Sequence, residues 1–287
     1  MKTLAVITLG SAMLALAAPA AEDLLDRVGE QLTFSAPNGS ARLKLSGIVD
    51  LEYYDVSLPA PGTLFTEQST LFNPRVSLFA DAQLGTRVYF FAQARIDHGF
   101  DPSDDGDPQV RLDECAIRLA LGDEGKCSIQ VGKFATVVGN WVPRHDSWEN
   151  PFVTAPLPYE NLTAVWHSTA ARSLNQLLAW AHIRPPGTPA TEYADKYLRL
   201  PMIWGPSYTT GMAGFGRMGK FDAAIEVKNA SLSSRPPSWD PENDQWAHPT
   251  FSGRVGWRPN AMWNVGLSGS TGTYLDPSAT PTLAPGH

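Results

Sequence analysis

The chain has almost no cysteine: two residues in 287, Cys115 and Cys127. That is too few for the disulfide framework of a small secreted scaffold. It also lacks long apolar runs. Beyond the extreme N-terminus the best candidate, Leu174–Ile183, is interrupted by Asn175, Gln176 and His182, whereas a spanning helix needs about 20 apolar residues. A helical membrane protein is thereby excluded. Basic charge is short too, with 22 Lys+Arg against 29 Asp+Glu. Nucleic acid is not the expected partner, because it selects for a basic footprint. No G-x-S-x-G or H-E-x-x-H arrangement occurs, and the expectation is a protein that is not an enzyme, without cofactor or metal centre.

The N-terminus carries a targeting signature. Lys2 precedes the apolar stretch Leu4–Leu16, and the small residues from Ala17 to Ala21 offer cleavage sites. Together these read as a signal peptide over residues 1–21. About 13 apolar residues are too few for a spanning anchor. Residues 22–40 follow as a lead-in, with Glu22–Gln31 able to form two or three helical turns and Asn38-Gly39 marking a turn. Export to an oxidising compartment permits a Cys115–Cys127 disulfide, provided the strand register brings the two together.

From residue 41 the chain alternates apolar and polar residues. Leu43, Leu45, Val49, Leu51 and Tyr53 share one parity, and Arg42, Lys44, Ser46, Asp50 and Glu52 the other. Period-2 patterning of this kind specifies a strand with two unlike faces. It predicts strands over 41–54, 74–84, 87–97, 110–121, 126–134, 207–217, 220–231, 249–258 and 261–273. Short connections, near 85–86, 122–125, 218–219 and 259–260, alternate with long ones at 55–73, 98–109, 135–206 and 232–248. Such segregation is expected of an all-β antiparallel transmembrane β-barrel of porin type, whose periplasmic turns are short and external loops long. Partial barrel 41–274 and a disordered tail 275–287 complete the expected organisation.

In that frame the polar parity lines a pore. The candidates are Arg42, Lys44, Arg75, Arg87, Arg95 and Arg118, with Asp50, Glu52, Asp81, Asp97, Glu114, Asp222 and Glu226. Their mixed signs leave ion preference open, since rings of one sign would be needed to set it. The long 135–206 connection is interrupted by Pro143, Pro151, Pro156 and Pro158, which rule out a continuous strand or helix. It is expected to fold inward as a constriction, presenting Trp141, Arg144, His145, Asp146 and Glu149. His145 has no catalytic partner in sequence and reads as loop or pore charge. Asp101, Asp104, Asp105 and Asp107 gather carboxylates as calcium would require, but Leu112 stands where a bidentate glutamate would, so a solvated acidic loop is expected.

Two segments, Arg111-Leu-Asp-Glu-Cys-Ala-Ile-Arg-Leu119 and Ser128-Ile-Gln-Val-Gly-Lys-Phe134 with Gly139, resemble a hairpin of the phosphate-selective porin O/P-like outer-membrane proteins. The resemblance covers roughly residues 40–140. It implies a diffusion channel in the cell outer membrane, surrounded by lipid, passing small hydrophilic solutes and assembling as a homotrimer of barrels with about 16 strands. Phosphate selectivity does not carry over, because the lysine cluster is missing. Nine strands are also an odd number, whereas bacterial barrels are even. Either the chain is a porin cut short at its C-terminus, the preferred expectation, or 135–206 conceals further strands. The alternative class is a secreted β-sandwich binding carbohydrate through Trp141, Trp148, Trp239 or Trp246.

Overall fold

In a computed structural model the described residues are 28–58, 68–98, 107–122, 125–142, 208–232 and 249–274, with 60, 64, 66, 156, 173–175 and 246. The signal segment, the 101–106 acidic loop, Arg144, His145, Asp146, Trp148, Glu149, Trp239 and the tail from 275 lie outside them. The described strands are β1 (Thr33–Ser35), β2 (Ala41–Asp55), β3 (Thr70–Leu84), β4 (Val88–Asp97) and β5 (Gln109–Leu121), then β6 (Cys127–Phe134), β7 (Thr209–Met218), β8 (Phe221–Lys228), β9 (Thr250–Trp257) and β10 (Val265–Thr271). They form one antiparallel sheet in sequential order. The sheet is open: β1 and β10 stand at its two edges and do not pair with each other.

Each of the nine expected strands is present within a few residues of its predicted bounds. The tenth, β1, was not expected. Of the predicted helix only the end is described, a turn whose Leu32 N–H donates to Val28 O at 3.0 Å. The chain then extends through β1 and reverses at Asn38-Gly39, where the Asn38 side chain accepts from Ser40 N at 3.1 Å. The strand predicted from 261 starts later, at Val265. Asn260 Oδ1 accepts from Met262 N and Trp263 N, both at 3.0 Å, and this side-chain turn occupies the residues that would have extended the strand. At the β7–β8 hairpin Gly219 takes φ +58°, a conformation that costs glycine nothing and other residues strain.

Register also bears on two other expectations. Cys115 sits opposite Lys133, and Cys127 opposite Leu121. Six ladder positions at 3.4 Å separate the cysteines by about 20 Å, far beyond the reach of a disulfide, about 7 Å. Both are free thiols, which corrects the proposed bond. And β6 pairs directly with β7, from Phe134 opposite Thr209 to Cys127 opposite Gly216. No strand from the long connection lies between them. The sandwich alternative needs two facing sheets, and the described strands make one.

One irregularity has a large effect. In the β4–β5 ladder Gln93 pairs with Glu114 and Ala94 with Leu112, which leaves Asp113 as an extra residue. This β-bulge shifts the parity of β5, so Arg111, Asp113, Glu114 and Arg118 all serve the same face.

Candidate functional site

The two faces of the sheet are opposite in character, and the burial is inverted relative to an ordinary soluble fold. On the apolar face Leu51 is 68 % exposed, Ile225 70 % and Leu267 76 %. Phe72, Leu78, Ile117, Val131, Phe251, Val255 and Trp257 are exposed on the same side. On the polar face Asn73 and Lys228 are fully buried, and Arg95 and Asp97 only 2 % exposed. Buried ions need partners: Arg95 and Asp97 have ion partners, and Lys228 donates to backbone carbonyls.

Near the long-loop end of β2–β3, Glu52 is the hub. Arg75 donates to its Oε1 at 2.6 Å, while Asn73 and the Tyr54 hydroxyl donate to Oε2, each at 2.9 Å. Asp50 lies 3.7 Å from Arg75. On β4–β5 the bulged Asp113 is 3.3 Å from Arg95 and 3.5 Å from Arg111, and Arg111 reaches Asp97 at 2.9 Å. Further along, Arg118 donates to Gln130 at 2.9 Å and stacks 4.7 Å over the Phe215 ring. Tyr89 hydroxyl donates to Asp81.

The remaining predicted pore residues are placed differently. Arg42 and Lys44 are exposed at the short-turn end of β2, with Lys44 opposite Asp81 in register. Arg87 is in the β3–β4 turn, not on the wall. Sequence reasoning missed Arg111 and Asp113, because strict alternation from Glu114 assigns them to the other face. The available signal was polar residues of both parities in Arg111-Leu-Asp-Glu114. It also missed Asn73, Gln130, Lys228 and Arg254 on the polar face.

After β6 the chain turns onto this face and crosses it. Ala135 N donates to Glu114 at 2.8 Å. Glu226 on β8 accepts from Thr136 Oγ1 at 2.5 Å and Val137 N at 3.0 Å. Gly139 N donates to Ser268 on β10 at 3.0 Å, and Arg254 on β9 donates to Asn140 Oδ1 at 3.1 Å. Residues 135–142 therefore make hydrogen bonds to β5, β8, β9 and β10. Lys228 fixes the start of the crossing by donating to the carbonyls of Phe134 and Thr209.

Small residues make the space for this. Ala116, Ala213 and Ala224 lie on the polar face and pack with Phe134 and Val137 in one buried cluster. Leucines at those three positions would collide with the crossing segment. Trp141 is half-buried near its end, so of the five predicted constriction residues only this one falls within the described crossing.

Beside the segment, at the short-turn end, is a cavity of about 360 Å³ whose lining includes Arg217, Lys220, Asp222, Arg254 and Arg258. Arg254 donates to Asp222 Oδ2 at 3.1 Å. Among the described residues no group of three or more His, Cys, Asp or Glu side chains could hold a metal ion. The chain matches no protein-family model and no curated protein sequence.

Proposed function

We propose that the chain is a porin-like component of the bacterial outer membrane, passing small hydrophilic solutes by diffusion along the polar face. The observation that carries this reading is the inverted burial: exposed Leu, Ile, Val, Phe and Trp on one face, and buried Arg, Asp, Glu and Lys on the other. In water the exposed apolar face is unfavourable by about 25 cal/mol per Å². In lipid it is the favoured arrangement, with alternate residues turned to hydrocarbon and to a wet lumen. Segregated turns and loops, and the resemblance of the β5–β6 hairpin to porin O/P-like proteins, support the same reading. The crossing segment 135–142 would narrow the lumen, and the Glu226 and Lys228 contacts would hold it there.

The open edges require completion before the sheet can serve as a pore, since unpaired backbone groups in hydrocarbon are costly by several kcal/mol each. The test is made on the membrane fraction of cells expressing Met1–His287. Protein recovered from that fraction only with detergent is the expected result, and conducting steps in planar bilayers would show in addition that the edges are completed between copies of the chain. Folded protein released in soluble form from the periplasm would overturn the proposal.

A further inference from the structure

We propose that the cavity at the short-turn end of β7–β9 binds a small organic anion carrying two or more carboxylates. This adds a solute class to the porin reading and rests on it only for the solute's route; the site itself is defined by its own residues. The whole chain has a formal net charge of −7, yet this cavity gathers Arg217, Lys220, Arg254 and Arg258 against the single carboxylate of Asp222. Arg254 is already engaged, held by Asp222 at 3.1 Å and by Asn140 at 3.1 Å. Arg217, Lys220 and Arg258 make no ion pair among the described residues. Three uncompensated cations therefore border one space, anchored by a fourth whose position is fixed.

The geometry favours an organic polyanion. Guanidinium groups bind carboxylates through paired N–H donors, and cations spread around a cavity match charges spread over a molecule better than one compact ion. The volume, about 360 Å³, falls at the small end of ligand sites, roughly 300–1,000 Å³. Two hairpins hold the wall in place: Arg258 N donates to Lys220 O at 2.8 Å, linking the β7–β8 turn to the end of β9.

The full chain, purified in detergent, is titrated calorimetrically with citrate, orthophosphate and chloride. Citrate is expected to bind most tightly, with affinity falling as salt is raised because the attraction is electrostatic. The triple substitution R217Q/K220Q/R258Q should weaken citrate at least about tenfold, and K220Q alone should weaken it by a smaller factor. All three positions are exposed and unpaired, so heat-modified mobility and circular dichroism should match the parent. Equal citrate affinity in parent and triple variant, or orthophosphate binding as tightly as citrate, would overturn the assignment. Because binding is read without a membrane, citrate binding by a chain released in soluble form from the periplasm defeats only the porin reading. A chain extracted only with detergent that binds no citrate defeats only the site.

Discussion

Arg95 and Asp113 face each other at 3.3 Å across the β4–β5 ladder because β5 carries one residue more than β4 opposite it. Without that bulge the Gln93–Glu114 register would continue, setting Asp113 opposite Ala94 and Arg111 opposite Ile96 on the apolar face and leaving Arg95 opposite Leu112. The extra residue brings Arg111 opposite Arg95 and places Asp113 between them, in an alternating Arg95–Asp113–Arg111–Asp97 series.

Replacing Asp113 by alanine should therefore be costly. It removes the carboxylate shared by two buried guanidiniums, and breaking one side of a buried pair costs about 3–5 kcal/mol. Urea unfolding followed by tryptophan fluorescence should show a loss of that order. A change below about 1 kcal/mol would mean that Arg95 is not dependent on this partner.

Gly132 provides a backbone test. Its φ is +137°, and a methyl group there would sit 2.3 Å from the Cys115 carbonyl oxygen. Gly132→Ala should destabilise by about 1–3 kcal/mol through strain at this position, measured in the same unfolding assay. Gly216, with open space around it and no positive φ, is the control and should tolerate alanine.

The apolar face distinguishes lipid from water as the surrounding medium. Ile225→Lys should cost roughly 2–4 kcal/mol if the face lies at the middle of a bilayer. In water the same exposed substitution should stay within about 0.5 kcal/mol. Refolding parent and variant into phospholipid vesicles, and comparing their unfolding midpoints, reads the difference directly.

Glu226 tests how the crossing segment is held. Glu226→Ala removes the acceptor for both Thr136 Oγ1 and Val137 N. The Val137 amide should exchange with solvent at least about tenfold faster, equivalent to about 1.4 kcal/mol of lost protection. In bilayers single-channel conductance should rise. Unchanged exchange at Val137 would show that the packing of Phe134 and Val137 alone keeps the segment in place.

The cysteines give a simpler check. Both thiols of denatured protein should take up maleimide without prior reduction, and reduction should leave the mass unchanged. A mass increase of two hydrogens on reduction would contradict the 115-to-127 register.

Much of the sheet was legible because each strand has one polar and one apolar face, which makes parity visible in residues such as Leu43 through Tyr53. β1 was hidden: Thr33–Ser35 is three residues long, too short for alternation to register. The charged networks were legible in part. Asp50, Glu52, Arg75, Arg95 and Asp97 obey simple alternation, whereas Arg111 and Asp113 depend on a bulge that parity alone misassigns. Lys228 and Arg254 become informative only once 135–142 is seen to lie over β8–β10, a contact between residues about a hundred positions apart. The cationic cavity was illegible for the same reason, since its wall comes from two hairpins.

The sequential strand order has a consequence for assembly. Every other neighbouring pair is joined by a much shorter connection, whereas β6 and β7 must meet across residues 135–208. Closing so long a loop costs about 2 kcal/mol more than closing a five-residue turn, so the two halves, β1–β6 and β7–β10, can each zip up before they meet. Ladder hydrogen bonding does not need the peptide bonds between them. A gene divided at residue 156 should yield two chains that find each other and restore the β6–β7 seam; co-expressed halves that never co-purify would show that covalent linkage is indispensable to the meeting.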